Sequence, residues 1–506
     1  MRQNRISDIV KTVQVKLFST SENYWFYACM VVLSAVYIFF PSSNPLQDSW
    51  SYAGSVKHGV DLFYAHHLLY TPLNRLIYIG IQPIIPAIDV LRLMQFINAL
   101  FALGCLFLLR SILIKLTKST AIANLWTFFA GCSFGIMRFS VEAEVYVIPI
   151  FLSLFSSVYL LRYLKDGRWF NALLSGGFAT LACLFHQIHL FWGIGLFFGF
   201  LFSKKPGSAF LYLIPTPLVL LVYSLVLVYN QHMAFSAEHL MQFLAQYYYT
   251  PNAEAHIGVN NIIISLITFV RTFFQIHGIV PEVFKWLPLA YFSAFIVSIL
   301  LVYAGIGFIK SMKIKWNRQS GIFERTHLLI FILQFGFAFF SQGNSEFMVM
   351  LPFLIAIFID MFILFQPKIL LPAAFAMLIW NFTFAIYPNH HFDYQNNKAL
   401  ISVINKNPDK IFIVKERGIV ANQYFYYYGT DESNRVLGNE NLEQINTLKE
   451  QKHVFYTDLL TRKTPYNRVD FTTKQPLNNL IFVRHIARIH SAMGGFYIDE
   501  VKCAEK

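Results

Sequence analysis

Apolar runs long enough to cross a bilayer constrain this chain more than any other feature. Residues 24–41, 91–109, 121–138, 145–162, 170–186, 189–203, 208–230, 287–309, 327–341, 347–365 and 369–387 carry few or no charges. Eighteen helical residues at roughly 1.5 Å each cover about 27 Å, enough to span a hydrocarbon core. Only 13% of the 506 residues are charged and 56% are hydrophobic, against about 25% and about 45–50% in soluble proteins. This excludes a disordered chain, a disulfide scaffold and a water-soluble enzyme. The sequence predicts a polytopic α-helical membrane protein of about 11 spans, with long outer loops and a small α/β C-terminal domain. Residues 1–387 form the transmembrane part and 388–506 the soluble part.

The net charge of +13 does not point to nucleic acid, because most of the basic excess lies within the membrane part. Arg2, Arg5, Lys11 and Lys16 precede the first run. No A-x-A-like cleavage site follows, so the run reads as an uncleaved anchor rather than a signal peptide. With the N-terminus in the cytoplasm, one set of loops collects Arg110, Lys115, Lys118, Arg162, Lys165, Arg168, Lys204, Lys205, Lys310, Lys313, Lys315, Arg318, Arg325 and Lys368. The opposite face has only Lys57, Arg75, Arg92, Arg138, Arg271 and Lys285. This asymmetry satisfies the positive-inside rule, and the odd number of spans places the C-terminal domain on the non-cytoplasmic side. The five cysteines form neither a CxxC site nor a paired framework.

Titratable groups gather on the outer side, and the loops there, 42–90 and 231–286, are far longer than the connections of about 2–8 residues usual in bundles. Within the second, the apolar stretch 261–280 carries Arg271 and reads as an amphipathic helix lying at the interface. In the tail, strands are expected at Ile411–Val414, Val454–Tyr456 and Ile481–Val483. Helices are expected at Gln423–Tyr428 and Asn439–Glu450.

Six constellations on the outer side could carry chemistry. Asp48, just beyond the first span, is either a helix N-cap or a general base. His66 and His67, about 100° apart if helical, would not ligate one metal together; one could contact a phosphate or sugar. Arg138, Glu142 and Tyr146 stand at i,i+4 spacing, with Glu144 between. Acids this close to hydrocarbon are costly and mark function by default, the bland alternative being a structural Arg138–Glu142 pair. His186 and His189, at i,i+3, share a helix face but lack a third metal ligand. Glu346 lies in an outer turn before Leu351-Pro352. Arg271 suits a lipid phosphate or a bulk headgroup.

Together these features resemble the GT-C superfamily of polytopic glycosyltransferases, which includes protein O-mannosyltransferases and aminoarabinose transferases. The resemblance rests on Asp48 in the first outer loop, the long outer loops and the outer C-terminal domain. Glu144-Val145-Tyr146 followed by a helix ending in His186, and the turn Glu346-Phe347…Leu351-Pro352, add to it. Asp48-Ser49 departs from the Asp-Glu pair of the mannosyltransferases, leaving Glu142 or Glu144 to supply a second acid.

The resemblance implies inverting transfer of a sugar from a polyprenyl-phosphate donor to a hydroxyl of a glycan, lipid or protein acceptor at the outer face. Asp48, Glu142 and Glu144 would be catalytic. His66, His67, Arg138, Tyr146, His186, His189, Arg271 and Glu346 would bind substrate. No cofactor is required, although a divalent cation on Asp48 and Glu144 is compatible with the family. The other readings are a lipid-linked saccharide flippase or transporter and a polysaccharide polymerase or ligase.

Overall fold

The computed structural model describes residues 24–246, 258–314, 321–432, 434–438, 441, 444–445, 447, 454–463 and 480–503. The basic head, Glu254, His256, Lys315, Arg318 and most of the helix expected at Asn439–Glu450 lie outside the described residues.

Six described helices are long and apolar enough to cross a membrane: Val90–Thr117, Val147–Asp166, Ser208–Tyr229, Leu289–Ser311, Ile322–Phe340 and Pro367–His391. A seventh crossing is a broken one, Thr120–Gly131 followed by Phe134–Ser140, bent by 65°. The apolar helices Tyr24–Phe39, Trp169–Phe185 and Gln187–Leu201 are shorter and coincide with three further expected spans. The expected span 347–365 differs most. It holds only the helix Leu351–Phe358 between two 3-10 turns, then Ile363–Leu364 pairs antiparallel with Lys313–Ile314.

Spans stand only if their polar backbone is satisfied within the protein. The break at Cys132–Ser133 shows how. Asn381, buried in a neighbouring span, donates from Nδ2 to the Cys132 carbonyl at 3.0 Å and the Phe273 carbonyl at 2.8 Å. Its Oδ1 accepts from the Gln275 amide at 3.0 Å, and Tyr37 donates to the Gly131 carbonyl at 2.6 Å. One amide therefore serves the broken span and the end of a second helix.

That second helix, Val259–Phe273, falls on the amphipathic stretch expected at 261–280. Its polar residues Asn261, Ser265, Thr268 and Thr272 are the buried ones. Ile262, Ile263, Leu266, Ile267 and Val270 are exposed. The periodicity is amphipathic, but the polar stripe packs inward and the apolar face is the outer one.

One end of the bundle collects the segments around 42–48, 141–146 and 389–394. The Ser42 amide donates to the Val141 carbonyl and the Ser43 amide to the Asn389 carbonyl, both at 3.0 Å. Arg92 donates to the Ser42 carbonyl at 3.1 Å. The C-terminal part carries a five-stranded mixed sheet in the order Val436–Leu437, Ile411–Ile413, Phe455–Thr457, Phe496–Cys503, Leu480–Ile489. The first three are parallel and the last two antiparallel. The strands Val436–Leu437 and Phe496–Cys503 were not expected from sequence. The helix foreseen at 423–428 begins earlier, at Arg417. This helix packs on helix Gln47–His58 so closely that a Cβ on Gly54 would stand 2.5 Å from Phe425 Cδ1. Sheet domain and bundle therefore meet at the end that carries Asp48.

Candidate active site

Asp48 lies in the first turn of helix Gln47–His58, whose N-cap is Leu46. It is therefore not the cap, and its carboxyl is exposed on a face open to a ligand. The crowded recess around it and the charge of Glu346 push it from 3.8 up to about 6. The next residue, Ser49, is buried and donates to Glu144 at 2.9 Å.

Glu142 and Glu144 sit on the turn between two spans and are 0% and 3% exposed. Asn98, buried in helix Val90–Thr117, fixes that turn by donating to the Glu142 carbonyl at 2.8 Å and the Glu144 carbonyl at 2.6 Å. The two acids have different surroundings. Glu142 pairs with Arg138 at 2.9 Å and accepts from Asn389 at 3.4 Å. Burial still lifts it above the ordinary range, against the pull of Arg138. Glu144 is lifted well above that range by burial and by the charges of Asp48, Glu346 and Glu142, with no cation among the causes. Glu142 is thus the structural acid, and Asp48, Glu144 and Glu346 form an electrostatically coupled group.

Glu346 enters from a distant part of the chain, on the 3-10 turn Ser345–Met348 capped by Asn344. Tyr146 donates to it at 2.6 Å, so the i,i+4 partner foreseen for Tyr146, Glu142, is replaced by a residue 200 positions away. The His186 ring lies 5.3 Å from Tyr146 and 5.3 Å from His67. His67 Nε2 meets the Tyr52 hydroxyl at 2.8 Å.

His66 and His67 occupy a turn rather than a helix. Burial lowers them to about 4 and about 3, so they stand as neutral hydrogen-bonding rings and not as cations. His189 turns away to Ser153 at 2.7 Å and stacks on Trp192. Arg271 lies over the Phe134 ring at 5.8 Å. Its helix packs against both the 134–140 helix and the Glu346 turn.

Asp48, Ser49, Glu142, Glu144, Tyr146, His67, His186 and Glu346 are therefore drawn into one network, while His189 and Arg271 lie at its borders. Among the described residues no three His, Cys, Asp or Glu converge to hold a metal ion, so the pair Asp48 and Glu144 lacks a third ligand of that kind. Ser49, Tyr52 and Asn98 were not foreseen. Asn98, an amide in an apolar run, is the one the sequence signals, because intramembrane polar residues are costly. Tyr52, one helical turn after Asp48, shares its face.

No family model matches the sequence, and no curated protein matches it. Among solved structures, the chain is similar to ArnT from Cupriavidus metallidurans in the apo state, at 8% identity and a TM-score of 0.41, covering 95% of this chain and 98% of that one. It is similar to the Archaeoglobus fulgidus oligosaccharyltransferase tethered with an acceptor peptide, at 10% identity and a TM-score of 0.49, covering 86% and 69%. A third likeness is to the S. cerevisiae protein O-mannosyltransferase Pmt1-Pmt2 complex bound to the sugar donor, at 13% identity and a TM-score of 0.33. It covers 44% of this chain and only 34% of that one.

Proposed function

We propose that this integral membrane protein is an inverting glycosyltransferase that moves a sugar from a polyprenyl-phosphate donor to an acceptor hydroxyl at the outer face of the membrane. The observation that carries the reading is Asp48: an exposed carboxyl, raised to about 6, backed by Glu144 and Glu346 at the end of an apolar bundle. A carboxylate tuned towards neutrality is a competent general base, because its proton affinity approaches that of the working medium.

In the proposed reaction the acceptor oxygen attacks the anomeric carbon while its proton passes to Asp48. The bond from that carbon to the phosphate oxygen breaks, and the polyprenyl phosphate leaves. Tyr146 orients Glu346, and Glu346 raises the basicity of Asp48. Ser49 and Asn98 hold Glu144 in place beneath. Arg138 is committed to Glu142 and the histidines are neutral, so charge compensation for the leaving phosphate falls to Arg271, whose helix borders the Glu346 turn.

A cavity of about 730 Å³ supports a lipid donor. It begins at Gln187 and Ile188, beside His186, and is lined by Phe191, Phe197, Val219 and Phe337. Apolar walls of this kind suit an isoprenoid tail whose phosphate stays at the headgroup level. The basic residues Lys115, Lys118, Lys165, Arg168, Lys204 and Lys205 flank helix ends on connections away from the acids, which supports a cytoplasmic side opposite the site.

The test is Asp48→Asn in purified protein. Removing a general base costs about 10²–10⁴-fold in turnover, and the exposed position leaves thermal stability unchanged. Retention of most activity would transfer the role of base to another acid and overturn this assignment.

A further inference from the structure

A second recess lies apart from the acid network, where the sheet domain meets the bundle. Its volume is about 280 Å³, and its walls come from the segment after the first apolar helix, from helix Gln47–His58, from the chain around 393–398 and from helix Arg417–Tyr428. That volume is at the small end for ligand pockets, which run from about 300 to 1,000 Å³. It suits one or two rings rather than an extended chain.

The lining has two chemically distinct sides. Trp50 and Tyr427 form an aromatic wall, with ring centroids 6.1 Å apart and planes inclined by 44°. Asp393, Gln395, Glu416 and Gln423 supply carboxylates and amides. Gln423 is 7% exposed, yet its Oε1 has no hydrogen-bond partner among the described residues. Gln395 is 6% exposed; its Oε1 accepts from Arg462 and its amide sits against the Glu416 carboxylate. A buried acceptor left without a partner is destabilising, so Gln423 Oε1 beside the Asp393 and Glu416 carboxylates calls for a ligand that offers several donors.

A pyranose ring does so. Its C–H faces are apolar and lie against aromatic rings, while its rim of hydroxyls both donates and accepts. The recess also shares a wall with the acid network. Ser42 lines it, and Asn389 donates both to the Ser42 hydroxyl at 2.8 Å and to Glu142 at 3.4 Å. Trp50 stands two residues after Asp48 on the same helix.

We propose that this recess is a saccharide-binding site that seats a sugar unit of a glycan acceptor, with Trp50 and Tyr427 stacking on the ring and Gln395, Glu416 and Gln423 reading its hydroxyls. Only the word acceptor rests on the transferase reading; the binding itself does not.

The experiment uses the full chain in lipid nanodiscs, applied to an array of immobilised mono- and disaccharides, with affinities for the retained sugar measured by saturation-transfer NMR. Gln423→Leu keeps the size of the side chain and removes its polar atoms, so its melting temperature should match or exceed that of the parent. Gln423→Leu and Tyr427→Ala should each weaken binding by about tenfold or more, the loss of a buried polar or ring contact. Glu238→Gln, at an exposed position away from the recess, should leave binding within about twofold. Retention of no sugar, or affinity indifferent to both recess variants, would overturn the proposal. Capture of peptides in place of sugars, lost in Tyr427→Ala, would overturn it in favour of a protein acceptor. Sugar binding that follows the recess variants while no lipid-linked donor is consumed would uphold the site and sink the transferase reading alone.

Discussion

Replacing Glu346 by Gln should move the acid limb of the pH–rate profile downward. Asp48 rises from 3.8 to about 6, with desolvation by the crowded recess around it the larger cause and the charge of Glu346 the smaller. The rise is about 2 pH units, so the share of Glu346 is below about 1. A raised carboxylate acts as a base only above its own pKa, so parent activity should fall as pH drops through about 6. At pH 5 a base of pKa 6 is about 10% ionised and one of pKa 5 about 50%, so the variant should keep up to about five times more of its own plateau. Its plateau will itself be lower, because Glu346 also accepts from Tyr146 at 2.6 Å. Each profile is therefore normalised to its own maximum. The assay is kcat/KM for sugar transfer between about pH 4.5 and 8 in nanodiscs. A limb that stays at about 6 or moves upward would refute the coupling of Glu346 to Asp48.

Two stability changes follow from the same geometry. Glu142→Gln removes the carboxylate that pairs with Arg138 at 2.9 Å, a charge-assisted contact whose loss should cost about 1–3 kcal/mol; thermal unfolding in detergent would show a clear drop, and an unchanged melting temperature would deny the structural role. Gly54→Ala forces a Cβ to within 2.5 Å of Phe425, an overpacking worth about 1–3 kcal/mol. It should loosen the sheet domain from the bundle, read as faster proteolysis between residues 392 and 416, and unchanged cleavage would contradict the docking.

What was legible in the sequence was the signal carried by local period. The apolar runs at 91–109, 145–162, 208–230 and 287–309 fall on helices of the structure with no end overhanging by more than two residues, because hydrocarbon forces the backbone to satisfy itself within each span. The Arg138–Glu142 pair was legible for the same reason, since i,i+4 spacing fixes proximity. The bend at Cys132–Ser133 was not, because both halves are equally apolar and the compensating Asn381 lies some 250 positions on. Nor was the inward polar stripe of Val259–Phe273. Periodicity shows that a helix has two faces but not which one meets protein. In the site, Asp48, Glu144 and Glu346 were each visible as costly acids near apolar segments, whereas the Tyr146–Glu346 bond and the Asn98 clamp depend on long-range packing. The recess beside Trp50 joins residues from opposite ends of the chain and has no local signature.

The central claim is that Asp48 serves transfer from a lipid-linked sugar. Its most direct test offers purified protein in nanodiscs a glycan acceptor with either a polyprenyl-phosphate sugar or a nucleotide sugar, and follows release of polyprenyl phosphate. The account predicts transfer with equimolar release from the lipid donor alone, and none above background for Asp48→Asn. Transfer from the nucleotide sugar with no polyprenyl phosphate present, or release undiminished in Asp48→Asn, would contradict it.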